Sequence, residues 1–259
     1  MIRKTAIAGA SALVLTLAWS GAFAQDDDES GMRVGPVETY TCKYNDGKGP
    51  EDLEKAIAGL NKFMDDKGVN TYGAMTLTPH YHGPDAFDVG WLGYWTDGNA
   101  MGQGQDMWLA EGGETAAAMF DVLTCDTHSG FAVTGVKEPP SETQPDTSVM
   151  YFTDCNVSDD SDFETMMAGL KKWADYMTEQ EYNNGVWLMF PAFGDAGMDM
   201  DFKMVTSYES HAAAGSAWEK YGNGGGWMKR NEIMGDTLSC DTSRVYNATA
   251  RRRIEMGGE

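Results

Sequence analysis

The sequence predicts an α+β protein in which one chain carries two β-α-β-β-α-β units in tandem. Three observations predict it. The phrase MFDVLTCDTH (119–128) returns as MGDTLSCDTS (234–243). Cys42 and Cys155 stand 113 residues apart, and Cys125 and Cys240 stand 115 apart. Between those anchors DLEKAIAGLNKFMD (52–65) lies over DFETMMAGLKKWAD (162–175) without a gap, and seven of the 14 positions are identical. Two copies of about 100 residues each are domain-sized.

The elements follow in order within each copy. A first strand is expected near 37–44 and near 149–157. A helix then begins near Pro50, with Leu53, Ile57, Leu60 and Met64 at helical spacing. Its counterpart opens on a capping box, Ser161-x-x-Glu164, and carries Phe163, Met167, Leu170 and Ala174. Met75, Leu77, Pro79 and Tyr81 alternate along a second strand. Phe87, Val89, Trp91, Gly93 and Trp95 alternate along a third, over Met200, Phe202, Met204, Thr206 and Tyr208. A second helical region spans 98–122 and 210–238, broken by Gly112-Gly113 and by Gly224-Gly225-Gly226. Short last strands are expected at 131–136 and 245–249. KEPPSETQPDTS (137–148), rich in Pro and acid, links the copies. The division is therefore 1–24 leader, 25–36 acidic segment, 37–136 first repeat, 137–148 linker, 149–250 second repeat and 251–259 basic tail.

This element order is the ferredoxin-like split βαβ, in which the first strand lies beside the last and antiparallel to it. A cysteine late in strand one is then near the start of strand four. That predicts disulfides Cys42–Cys125 and Cys155–Cys240, each within one repeat. Two tandem ferredoxin-like units resemble the dimeric α+β-barrel superfamily, which includes antibiotic-biosynthesis monooxygenases and haem-degrading monooxygenases. The resemblance implies an intrachain pseudo-dimeric barrel, with a pocket between sheet and helices in each unit. Haem-degrading members carry an Asn on strand one, a Trp on strand three and a His on the second helix. Here Asn156 and His211 fall in one copy and Trp91 in the other, so the haem site is not carried over.

Arg3 and Lys4 precede an apolar run at 5–19 and the small-x-small pattern Ala22-Phe23-Ala24, the pattern of a cleaved export leader. The expected location is the periplasm or outside the cell, where four cysteines pair as disulfides. No later stretch is apolar enough for membrane insertion. The formal charge is −21, and it becomes −23 once Arg3 and Lys4 leave with the leader. That acidity disfavours nucleic acid and anionic lipid, both of which are gripped through Lys and Arg.

Candidate site residues are few. His80 and His82, in TPHYHGP, are two apart at a strand end, a spacing that lets two imidazoles share zinc or copper. His128 and His211 read as structural. The cluster Met198, Met200 and Met204 reads as core rather than a copper site. Trp91, Trp95 and Trp108 gather with Tyr81 in copy one, and Trp187, Tyr208 and Trp218 gather in copy two. Such rings are suited to lining an apolar pocket. No phosphate loop or nucleophile elbow is present, and no carboxylate pair stands out among 40 acids. The expected function is binding of a small, partly apolar ligand or a protein partner. The alternatives are a cofactor-poor monooxygenase acting on a hydrophobic substrate, and copper or zinc binding at His80 and His82. No cofactor and no oligomeric state is assigned from the sequence.

Overall fold

The computed structural model describes residues 32–84, 87–140, 145–194 and 198–254. The expected leader and residues 25–31 of the acidic segment lie outside them. The first half contains β1 (Gly35–Tyr44), α1 (Pro50–Asp66), β2 (Tyr72–Tyr81), β3 (Val89–Trp95), α2 (Gly98–Glu111), α3 (Gly113–Val122) and β4 (Leu123–Lys137). The second contains β5 (Thr147–Val157), α4 (Phe163–Glu179), β6 (Asn184–Phe193), β7 (Phe202–Tyr208), α5 (His211–Gly222), α6 (Gly226–Met234), β8 (Leu238–Cys240) and β9 (Arg244–Arg252).

Eight strands close an antiparallel barrel in the order β5-β7-β6-β4-β1-β3-β2-β9 and back to β5, and the short β8 pairs with β5. Within the halves the orders are β4-β1-β3-β2 and β9-β5-β7-β6. Two seams join them, β4 with β6 and β2 with β9. Strand alternation divides every strand between two faces. One face fills the barrel lumen, where Val37, Leu92, Phe131, Met150, Trp187 and Val205 meet in a packed core. The other face is covered by helices, α1 to α3 on the first half and α4 to α6 on the second.

Local chemistry explains most boundaries. Pro50 opens α1 at a position where its missing N–H costs nothing, and the Gly49 N–H donates to Asp52 Oδ2 at 3.3 Å. Leu53, Ile57, Leu60 and Met64 are its buried stripe, as the spacing predicts. α4 starts one residue later than expected. Asp162, not Ser161, is its N-cap, and Asp162 Oδ1 accepts the Thr165 N–H at 2.7 Å. The glycine runs break both outer helical regions, at Gly112 and between Gly222 and Gly226.

Three expectations are corrected. β4 starts at Leu123 rather than at 131, so Cys125 lies inside the strand. The polar run from Thr124 to Ser129 conceals a strand whose partners are β1 residues, including Thr41, whose hydroxyl pairs with that of Thr127 at 2.7 Å. The presumed basic tail also begins inside a strand. β9 runs through Arg252, because acidic α1 lies beside it: Arg251 reaches Glu54 at 2.8 Å and Arg252 reaches Asp65 at 2.7 Å. Finally, the presumed linker is shorter. Lys137 ends β4 and is buried, and its ammonium donates to the carbonyls of Tyr182 at 3.0 Å and Asn184 at 2.7 Å.

Both disulfides form as paired from the sequence, Cys42–Cys125 and Cys155–Cys240. In each, the cysteines are direct cross-strand neighbours, across β1–β4 and across β5–β8. Among the described residues no helix is long and apolar enough to cross a membrane.

Candidate functional site

The barrel lumen is closely packed, with a void of about 20 Å³ among Val37, Leu92, Trp187 and Val205 and a hollow of about 70 Å³ beside Met75, Tyr94, Met150 and Ala248. Between the outer sheet face of the first half and its helices there is a cavity of about 480 Å³. Trp91, Trp95 and Trp108 line it together. Leu60, Met64 and Leu123 add aliphatic wall, and the exposed Leu109 and Phe120 stand at its open side.

One wall of the cavity is polar. The Trp91 indole N–H donates to the Tyr72 hydroxyl at 2.8 Å, and that hydroxyl donates to Glu38 Oε1 at 3.0 Å. His128 Nε2 donates to Glu38 Oε2 at 3.2 Å, and the His128 ring stacks on Tyr40 at 3.9 Å between centroids. Register explains the gathering: Glu38 pairs with Gly93 and Tyr40 pairs with both Trp91 and His128. Burial first, and the Glu38 carboxylate second, push the phenols of Tyr40 and Tyr72 above their ordinary range, so both stay neutral.

Two glycines make this arrangement possible. A Cβ on Gly93 would stand 2.3 Å from the Tyr72 hydroxyl and 2.8 Å from Glu38 Oε1. A Cβ on Gly104 would stand 2.1 Å from the six-membered ring of Trp95. In the internal alignment their counterparts are Thr206 and Ala217, and Trp91 answers to Met204. All three counterparts line the corresponding cavity of the second half, which holds about 210 Å³. There the positions of Tyr40 and His128 are taken by Thr153 and Ser243, whose hydroxyls bond each other at 2.7 Å.

The other expected pocket residues are dispersed. Tyr208 lines the smaller cavity. Trp187 belongs to the barrel lumen, because it lies opposite Val205 on the inward face of β6. Tyr81 ends β2 with 66 % of its surface exposed. Met75 and Leu77 face the lumen, since Met75 pairs with Leu92 rather than with Trp91. Phe87 and Met200 precede their strands and turn to the lumen, whereas Trp91 and Met204 face helices.

The histidine pair is also rearranged. His82 lies beyond the end of β2, so strand alternation does not align it with His80, and its Nδ1 meets the Gly83 carbonyl. His80 packs instead against His211 at 4.5 Å between ring centroids. His211 Nε2 bonds Asn247 Oδ1 at 2.8 Å. Among the described residues no group of three His, Cys, Asp or Glu side chains is placed to hold a metal ion. Asn156, Trp91 and His211 do not share a cavity either: Asn156 accepts from the Asp201 N–H, and Trp91 lies in the first half.

A third hollow of about 460 Å³ lies beside Lys137 and Lys220. Both ammonium groups already donate to backbone carbonyls, Lys220 to Gln180 and Glu181, which fixes them as structural caps. Glu38, Tyr72 and His128 are the functional candidates that sequence reasoning missed. The available signal was the contrast between copies, Gly93 against Thr206 and His128 against Ser243.

No protein-family model and no curated protein sequence matches the chain. Its structure is similar to a presumptive monooxygenase from Fusobacterium nucleatum, at TM-score 0.54 and 11 % identity, covering 87 % of this chain and 96 % of that one. A presumptive monooxygenase from Lactobacillus acidophilus gives TM-score 0.49 at 11 % identity, covering 84 % and 93 %. The chlorite dismutase of Candidatus Nitrospira defluvii, solved with imidazole, gives 0.49 at 9 %, covering 83 % and 91 %. At these identities the first likeness shows a shared fold, the α+β barrel, and nothing about activity.

Proposed function

We propose that this chain is an exported ligand-binding protein whose ligand is a small, flat, partly apolar molecule held in the first-half cavity. The observation that carries this reading is the cavity itself: three tryptophans on its walls, and a Glu38–Tyr72–His128 group bonded together on the same lining. Apolar enclosure with a few convergent polar groups is the usual build of a small-molecule site. The leader-like N-terminus and the two disulfides support a periplasmic or extracellular location. The shared strand order and the internal match support two ferredoxin-like repeats, of which the first has the larger cavity between sheet and helices.

Tryptophan fluorescence titration with lipophiles and quinones tests the reading. Saturable quenching is expected, and it should disappear when Gly93→Thr closes the cavity. A flat response to the whole panel sinks it.

A second reading is supported by one feature. Glu38 and His128 are hydrogen-bonded at the edge of an apolar enclosure, where a carboxylate–imidazole pair can take a proton from a bound substrate. In that case the protein is a cofactor-poor monooxygenase. Oxygen uptake with a ligand that quenches fluorescence, slowed more than about tenfold by Glu38→Gln, is its expected signature. Binding without oxygen uptake returns the protein to the first reading.

A further inference from the structure

The chemistry of the cavity wall restricts the charge of what it takes. Among the residues that line it, Glu38 is the sole formal anion and there is no lysine or arginine. Cys42 and Cys125 are tied up as a disulfide, and the phenols of Tyr40 and Tyr72 are held neutral by burial and by Glu38. Each Glu38 oxygen accepts one hydrogen bond, from Tyr72 and from His128. A carboxylate offers about four acceptor sites in all, so these two bonds aim the group and leave it capacity for a further donor.

The second half supplies a contrast. There the position of Glu38 is held by Tyr151, and the corresponding cavity is lined by Arg230 and by no carboxylate. Glu38 has the His128 imidazole and the Tyr72 hydroxyl as its partners, and no lysine or arginine. The rings of Tyr40, Tyr72, Trp91, Trp95 and Trp108 line the same cavity, and an aromatic face attracts a cation through its quadrupole. The chain as a whole is strongly acidic, which concentrates cations near its clefts and repels anions.

We infer that the first-half cavity is specific for an organic cation, an ammonium compound with an aromatic or branched alkyl body, whose charge sits among these rings opposite Glu38. This rests on the cavity being a ligand site, and it adds the charge of the ligand. Carboxylates, phosphates and sulfonates of the same size are excluded by Glu38.

The test uses the intact mature protein and three probes of one shape. Benzyltrimethylammonium is the cation, neopentylbenzene is its neutral counterpart with carbon in place of nitrogen, and phenylmethanesulfonate is an anion. Calorimetry or tryptophan fluorescence gives the affinities. The cation is expected to bind at least about tenfold tighter than the neutral probe, with no saturable binding of the anion. Glu38→Gln should abolish the preference for the cation over the neutral probe, and Glu38→Asp should restore it. Equal affinity of cation and neutral probe, or parallel loss of both in Glu38→Gln, overturns the charge inference and leaves the cavity as an apolar site. No binding of any probe overturns the inference and the cavity reading together.

Discussion

The two halves share strand order and disulfide placement, yet they hold cavities of about 480 and 210 Å³. The difference comes from a handful of side chains and not from the backbone plan. Where the first half has Gly93, Gly104, Trp91 and His128, the second has Thr206, Ala217, Met204 and Ser243. Small residues on the sheet and on α2 let large rings and a carboxylate gather. Larger residues at the same places fill the space. The comparison teaches that one strand order can carry sheet–helix cavities of different size and lining at corresponding places.

The strongest test of that comparison concerns the disulfides. Each closes a loop with a sequence separation of 83 or 85 residues, for which the chain-entropy model gives about 4–5 kcal/mol. Replacing either pair by serine should lower stability by roughly 2–5 kcal/mol in urea unfolding. The outcomes should differ for the site. Loss of Cys42–Cys125, which lines the cavity, should also abolish ligand quenching, whereas loss of Cys155–Cys240 should leave the folded protein's affinity unchanged. Equal effects on binding would break the division of roles.

The next largest effect is expected from exchanging a residue between the halves. Gly93→Thr forces a Cβ onto the Tyr72 hydroxyl and should cost about 1–3 kcal/mol, with more than about tenfold weaker ligand binding. The reverse exchange, Thr206→Gly, should cost about 1 kcal/mol through strand propensity and leave binding intact.

A smaller contrast lies where the halves connect. Burial raises the Glu138 carboxyl to about 7, so its neutral form predominates in the folded protein below that pH. A raised acid stabilises the fold fully below its unfolded value, near 4.5, and that contribution is lost as pH climbs through about 7. Urea midpoints from pH 5 to 7.5 should therefore fall more steeply for the native protein than for Glu138→Gln, by about 1–3 kcal/mol across the range. Parallel curves would show that Glu138 is solvated.

The smallest effect is expected at the β2–β9 seam. Arg251 donates to Thr76 at 2.8 Å and pairs with the half-exposed Glu54. Arg251→Ala should cost about 1 kcal/mol, reduced further by salt. A loss well above that would show that the seam is a larger share of the stability than its exposed ion pair suggests.

Much of this fold was legible because its signals are periodic. Spacing of Leu53, Ile57, Leu60 and Met64 fixed α1, and the repeated cysteine phrase fixed the pairing of strands one and four. β4 was shortened because its first residues, Thr124, Asp126, Thr127 and His128, are polar, and polarity there reads as loop. The direction in which each face of β2 points was not legible because both are apolar, with Tyr72 and Ala74 against helices and Met75 and Leu77 in the lumen. At the site, tryptophans announce themselves by rarity. Glu38 does not, being one of 40 acids, and only the register of β1 against β3 and β4 gives it its neighbours.

Both disulfides lie inside a half, and the covalent connection between the halves is the segment between β4 and β5. Neither half buries its inward face alone, since Val37 and Leu92 need Trp187 and Val205 across the lumen. A protease cut in that segment would thus leave two fragments with no bond between them, yet each would present to the other an apolar face and two open strand edges. The nicked molecule should migrate as one particle in native conditions and as two in denaturant. Unfolding should be a single cooperative transition, because losing either fragment strips the other of half its interior.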